Sequence, residues 1–224
     1  MEEIETEAET VYTVYSDVTD NGMDSHTMYI TSHIDSPSKF THIVNLLLNC
    51  ETGDIVTLIL CTEGGDLYSA LLLMDALEKT KAVTTARIIG EVASAGTLVA
   101  LACDSVEATP FSNFMIHNYS TTIQGKGGEI KSRLEFEHKN ISEIFYKCYS
   151  NFLSEIEISK VLYGVDMYLD VDSITSRFAK VIEARTASTL ERVGELEEAS
   201  RKSRLEVLEE ELVAIQNEIL EIVS

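Results

Sequence analysis

No Lys or Arg occurs before Lys39, no two cysteines form a Cys-x-x-Cys pair, and no apolar run is long enough to span a bilayer. Each absence narrows what the chain can be. Across the whole sequence 17 basic residues face 38 acidic ones, and the resulting formal charge of -21 repels nucleic-acid phosphates and acidic lipid head groups. Neither nucleic acid nor a membrane is an expected partner. Cys50, Cys61, Cys103 and Cys148 are widely spaced and mostly lie in apolar runs, which points to buried thiols in a reducing compartment. No basic-then-apolar leader opens the sequence, so a soluble cytoplasmic protein is expected. The sequence also lacks a Gly-x-x-x-x-Gly-Lys-Ser/Thr phosphate loop and any His/Cys/Asp set with ligand spacing. The expectation is therefore no ATP hydrolysis, no metal and no other cofactor.

What is present fits one globular domain with an appendage, in 224 residues. Residues 1–26 read as an acidic, flexible segment opening on the near-continuous glutamates of Glu2 to Glu9; residues 27–182 read as the folded domain; residues 183–224 read as an acidic helical extension. Within the domain, buried strands alternate with covering helices. A strand is expected at Met28 to Thr31, a helix at Pro37 to Asn49 and an apolar strand at Ile55 to Cys61. A helix at Asp66 to Thr80, a β-branched strand at Val83 to Ile89, an apolar helix at Ser94 to Cys103 and a strand at Asn113 to His117 follow. This succession predicts an α/β layer fold with a largely parallel sheet. The glycine-rich stretch Gln124 to Gly128 then leads to a long helical pattern from Glu129 to about Leu153, and a shorter helix at Glu155 to Tyr163 stops near Gly164. In the extension, Leu205, Leu208, Leu212, Ile215, Ile219 and Ile222 recur three and four apart. They form a short heptad seam, suited either to an amphipathic helix on its own domain or to a coiled coil with another chain.

Three short segments carry chemistry: Thr62-Glu63-Gly64-Gly65, Gly90-Glu91-Val92-Ala93-Ser94-Ala95-Gly96 and Met115-Ile116-His117. All lie at or just beyond the carboxyl ends of expected strands, where sites gather in α/β sheets. A serine hydroxyl needs a histidine to take its proton and a carboxylate to orient that histidine. Ser94 opens a helix among small neighbours, and His117 is the histidine placed at a strand end beyond it. His26, His33, His42 and His138 read as surface or packing residues. A tetrahedral intermediate also needs N–H donors aimed at its oxygen, and the amides of Gly65 and Ala95 are the candidate pair. Together these residues suggest a serine hydrolase.

With those motifs in order, residues from about Met28 to Phe178 resemble the proteolytic subunit of the Clp protease (ClpP), a family of serine peptidases. The resemblance implies Ser94 as nucleophile, His117 as base and Asp166 as the third triad member, with Asp170 and Asp172 nearby, and Gly65 and Ala95 as oxyanion donors. It implies a ClpP/crotonase-like fold of repeated β-α units with a protruding handle helix, and a homo-oligomer of stacked rings in which the Gln124 to Leu153 segment joins ring to ring. It further implies cleavage of unfolded polypeptides inside a chamber fed by a separate AAA+ ATPase. The family usually has Ser-Pro before the paired glycines, Met after the serine and Gln-Pro after the histidine; here Thr62-Glu63, Ala95 and Asn118-Tyr119 stand in those places. These departures touch substrate contacts and pocket shape more than proton transfer. Other settings compatible with the sequence are a viral head-maturation protease in the host cytoplasm, its tail docked on a capsid scaffold, and a catalytically silent ring or scaffold protein. An acyl-CoA enzyme of the crotonase fold has no need of the Ser94 and His117 pair.

Overall fold

The computed structural model describes residues 12–223 and, past Gly194, only the side chains of Glu198, Arg201, Lys202 and Arg204. The chain divides into two units, Met1–Val181 and Ile182–Ser224. In the first, seven strands form one sheet: β1 (Val14–Val18), β2 (Asp24–Ile30), β3 (Ile55–Thr62), β4 (Val83–Ala93), β5 (Ser105–Ala108), β6 (Asn113–Ile116) and β7 (Met167–Leu169). The order is β1-β2-β3-β4-β6-β7, with β5 beside the first half of β4 and β6 beside its second half. Pairing is parallel from β2 through β3 and β4 to β5 and β6, and antiparallel only at the two outer pairs, β1 with β2 and β6 with β7. The mixed α/β architecture expected from the alternation of elements is present.

Strand β3 shows why the sheet has two faces. Val56, Leu58, Leu60 and Thr62 are buried while Ile55 and Cys61 are exposed, the period-2 pattern of a pleated strand. Cys61 thus departs from the expected buried thiol: it lies in an apolar run but at an outward position, whereas Cys50 and Cys103 are buried. Helix α1 (Thr41–Asn49) covers the sheet with Ile43 and Leu47, and α2 (Leu67–Lys79) with Ala70, Leu73, Ala76 and Leu77. Helix α3 (Ala95–Ala102) is buried on every side, so an apolar, small-residue sequence is required all round.

The structure differs from the sequence expectation at several edges. Val14–Val18 is a strand inside the segment expected to be flexible through residue 26; Tyr12 anchors it, stacking on Phe40 and donating its hydroxyl to the His33 carbonyl at 2.7 Å. Helix α4 (Gly127–Tyr149) starts inside the glycine-rich stretch, where the Glu129 carboxylate reaches back to accept from the Lys126 amide at 3.3 Å. Residues 1–11 and the side chains of the heptad seam from Leu205 to Ile222 lie outside the described residues. Helix α6 is assigned over Val171–Val223, and no helix among the described residues is long and apolar enough to cross a membrane.

Helix α5 (Glu155–Leu162) is fastened to the first turns of α6 by a two-pronged ion pair, Arg177 to Glu157, at 2.7 and 3.0 Å. The guanidinium holds the Glu157 carboxyl down at about 2, with the Ser154 amide and hydroxyl adding to the effect. The folded value lies below the ordinary 4.5, so the associated stability is present above pH 4.5 and is lost as pH falls toward 2. Melting temperature measured against pH should fall more steeply over that window in the wild-type chain than in Arg177→Gln. Parallel curves would mean that the pair contributes nothing.

Candidate active site

The carboxyl ends of β3, β4 and β6 converge, and each delivers one of the three segments. At the end of β4 the chain reverses into α3 through Ser94, whose φ of 52° and ψ of -126° make it the one non-glycine residue with positive φ among the described residues. Such a conformation costs about 1–3 kcal/mol and is the sharp strand-to-helix turn that lifts a nucleophile clear of its backbone. The Ser94 amide donates to the Met115 carbonyl of β6 at 2.7 Å, which ties the turn to the strand that ends one residue before His117. Ser94 and His117 are both half-buried and line one cleft of about 340 Å³. No hydrogen bond joins their side chains among the described residues; nucleophile–base contacts are often long before substrate arrives.

The two amides are aimed by their peptide planes. The Gly64 carbonyl accepts from the Ile34 amide at 2.8 Å, and the Asp66 amide donates to the Ile34 carbonyl at 2.8 Å. A trans peptide points its N–H opposite to its C=O, so the Gly65 N–H is turned away from Ile34. Likewise the Ser94 carbonyl accepts from the Thr97 amide at 3.0 Å, turning the Ala95 N–H the other way at the first position of α3. Neither Gly65 nor Ala95 has an acceptor for its amide among the described residues, and both line the cleft. The helix start adds its own partial positive charge there.

The glycines are required sterically. A Cβ on Gly64 would lie 2.6 Å from the Ala93 carbonyl oxygen and 2.7 Å from Ser94 Cβ, and one on Gly96 would lie 2.6 Å from Thr62 Cγ2. Thr62, one of the departures from the family pattern, has a structural use: its hydroxyl donates to the Ser32 carbonyl at 2.6 Å and accepts from the Gly64 amide at 3.0 Å. Glu63 turns outward to His33 at 3.5 Å, and Asn118 donates to the Leu162 carbonyl at 2.8 Å. Thr62 and Asn118 brace the site without occupying the cleft.

The three candidate carboxylates are placed differently. Strands β6 and β7 pair Phe114 with Leu169, Met115 with Tyr168 and Ile116 with Met167, and His117 and Asp166 each lie one residue beyond the last of these pairs. Asp166 is exposed and outside the cleft lining, and no hydrogen bond joins it to His117 among the described residues. Asp170 caps α6 instead, accepting from the Ser173 amide at 2.9 Å, and its interactions with Ser173 hold its pKa down. Asp172 lies in the first turn of that helix.

A different cluster appears at the other end of the sheet, which linear spacing does not reveal: His26, Cys50 and Asp54, all buried, bring three potential metal-ligand atoms within 4.8 Å of one another. Its carboxylate already has a role. Asp54 accepts from the Glu51 amide at 2.7 Å and the Asp24 amide at 3.0 Å, which lowers its pKa, while Ser16 bonds His26 Nδ1 at 2.8 Å. These bonds account for the cluster as a buried turn clamp.

The wall facing the Ser94 turn comes from α4, with Phe136, Asn140, Ile141 and Phe145 opposite Leu98 of α3, so the cleft combines an apolar side with the polar end at Ser94 and His117. Comparison with known proteins places the chain in a family. Residues 6–162 match the family model described as Clp protease, and on that match, which covers most of the sequence, the chain belongs to the Clp protease family. A mutant ClpP1 from Listeria monocytogenes has a similar fold, with a TM-score of 0.52 and 21% identity over 67% of this chain and 86% of that one. No curated protein matches the chain by sequence.

Proposed function

We propose that this member of the Clp protease family is a serine endopeptidase acting on unfolded polypeptide, with Ser94, His117 and Asp166 as its triad and Gly65 and Ala95 as oxyanion donors. The observation that carries the proposal is the pair of acceptor-free amides flanking a strained serine in a cleft that also holds a histidine. The Ser94 hydroxyl oxygen attacks the scissile carbonyl carbon while His117 takes its proton. The carbonyl oxygen becomes an oxyanion held by the two N–H groups. Collapse of that intermediate breaks the C–N bond, and His117 returns the proton to the leaving amine. Water then attacks the acyl carbon while His117 takes one of its protons; collapse breaks the C–O bond to Ser94, and His117 returns that proton to the Ser94 oxygen as the acid leaves. Asp166 orients the imidazole and offsets its charge when it is protonated.

The family resemblance supports further parts of this reading. They are assembly into stacked rings with α4 as the handle between them and a separate ATPase that feeds the chamber; outside the resemblance, the acidic heptad pattern of the C-terminal helix suits a partner-binding role, and the sequence pattern suits a cytoplasmic setting. The apolar wall of the cleft suits an extended peptide with a hydrophobic side chain next to the cleaved bond.

The full chain should hydrolyse an unstructured fluorogenic peptide, and Asp166→Asn should reduce kcat by about 10³–10⁴-fold while leaving a measurable residual rate. Unchanged turnover in Asp166→Asn would move the third role to Asp172 or to no carboxylate. Absence of turnover by the wild-type chain, at every oligomeric state it forms, would favour a silent ring protein.

A further inference from the structure

We propose that Thr97 and Tyr149 are positioning residues that aim and polarise one of the two oxyanion donors, an inference that rests on the peptidase reading above. Tyr149 closes α4, is buried to 1% exposure, and its hydroxyl lies 2.6 Å from Thr97 Oγ1; Thr97, also fully buried, bonds the Ser94 carbonyl through the same Oγ1 at 2.7 Å. Donor directions follow from chemistry alone. A carbonyl can only accept, so the Thr97 hydroxyl donates to Ser94, and the oxygen it leaves must accept the proton of Tyr149. The result is a directed chain from the Tyr149 hydroxyl through Thr97 to the Ser94 carbonyl.

A buried tyrosine needs a partner for its hydroxyl in any protein, so the bond by itself indicates nothing beyond packing. What gives it a role is where the chain ends. The Ser94 carbonyl belongs to the same peptide plane as the Ala95 N–H, the proposed donor, and that carbonyl also accepts the Thr97 amide at 3.0 Å. Two hydrogen bonds at the oxygen fix the plane's rotation, and with it the direction of the N–H on the opposite side. They also draw electron density toward the oxygen, so the N–H becomes a stronger donor, an effect of about 10–30% per bond in hydrogen-bonded chains. The turn at Ser94 sits in a strained region of backbone space, where neighbouring groups must hold it. Burial also raises the pKa of Tyr149, which keeps the phenol protonated and the chain directed.

The two hydroxyls are 52 residues apart in sequence and join the wall of the cleft to the oxyanion site. Loss of either should therefore act on the transition state more than on substrate binding. Thr97→Val, which keeps the side-chain shape, should lower kcat by about 10-fold or more with KM held within about 2-fold, short of the 10²–10³ lost when a donor itself is removed. Thr97→Ser restores the hydroxyl and should recover most of that loss, and Tyr149→Phe should fall between Thr97→Val and wild type. A peptide boronate, whose adduct with serine carries a tetrahedral oxyanion, should lose affinity in step with kcat, while a product peptide that forms no adduct should not.

Melting curves of each variant show whether it is folded at the assay temperature. Should Thr97→Val fail to fold, Tyr149→Phe, which deletes a single oxygen, carries the test. A folded Thr97→Val or Tyr149→Phe with wild-type kcat and boronate affinity overturns the positioning role and leaves the peptidase reading intact. Parallel loss of kcat and product-peptide affinity, without recovery in Thr97→Ser, also overturns it. A wild-type chain that neither turns over peptide nor takes the boronate overturns the peptidase reading, and this inference with it.

Discussion

Ser94→Ala is expected to lower hydrolysis of an unstructured peptide by about 10⁴-fold or more and to abolish labelling by a fluorophosphonate, with the fold and assembly unchanged. The size follows from the chemistry: without the hydroxyl no acyl-enzyme forms, and only binding and oxyanion stabilisation remain to help water attack. Alanine keeps the Cβ, so the strain at φ 52° persists and stability should barely change. Ser94→Gly gives the complementary result. It is equally inert, but glycine occupies this backbone region without penalty, so the unfolding free energy should rise by about 1 kcal/mol even after the greater chain entropy of glycine is subtracted. An inactive variant more stable than its parent would show strain held at the nucleophile for the sake of its placement. Persistent fluorophosphonate labelling of Ser94→Ala would remove Ser94 from the nucleophile's role outright.

The sequence made the central layer legible because β3 and β4 are long and covered, and their apolar residues mark them whatever surrounds them. It was less informative wherever an element depends on one neighbour. Strand β1 lies at the edge of the sheet and buries little of its length, and its five residues, Val14 to Val18, follow closely on an acidic stretch and show no apolar alternation to mark them. The three residues of β7 are too few for a pattern, and only their pairing with β6 sets Asp166 apart from Asp170, which the fold uses as a cap. Residues with a specialised backbone were visible in advance: Gly64, Gly65 and Ser94 stand at strand ends where chain direction changes, and all three have positive φ. The supporting hydroxyls were not. Thr97 and Tyr149 read as ordinary members of two separate helices, and their relation exists only because the fold brings the end of α4 to the first turn of α3. The same holds for His26, Cys50 and Asp54, gathered from β2, the end of α1 and the turn before β3.

Gly65→Ala should lower activity and stability together. A Cβ at this position meets the Ile34 carbonyl oxygen, which is backbone, and lies 2.9 Å from two atoms of the His33 ring. The φ of 149° is already one that L side chains rarely adopt. The imidazole is exposed and can swing aside, but the Ile34 carbonyl is fixed by the Asp66 amide at 2.8 Å, and Ile34 is wholly buried. Relief must therefore come from the Gly65 backbone, and any rotation that frees the Cβ also turns the N–H from its aim. Losing one oxyanion donor should lower kcat by about 10²–10³-fold, and the forced backbone shift should cost about 2–3 kcal/mol of stability. A second substitution separates the two contacts. If the imidazole were the obstacle, His33→Ala would rescue Gly65→Ala; because the Ile34 carbonyl is, the double variant should remain as slow as the single one. Gly64→Ala acts differently, since its Cβ presses on the Ala93 carbonyl and on Ser94 itself, so it should misplace the nucleophile and suppress fluorophosphonate labelling more severely than Gly65→Ala. A folded Gly65→Ala with wild-type kcat would mean that the oxyanion is held without this amide, leaving Ala95 as its remaining backbone donor.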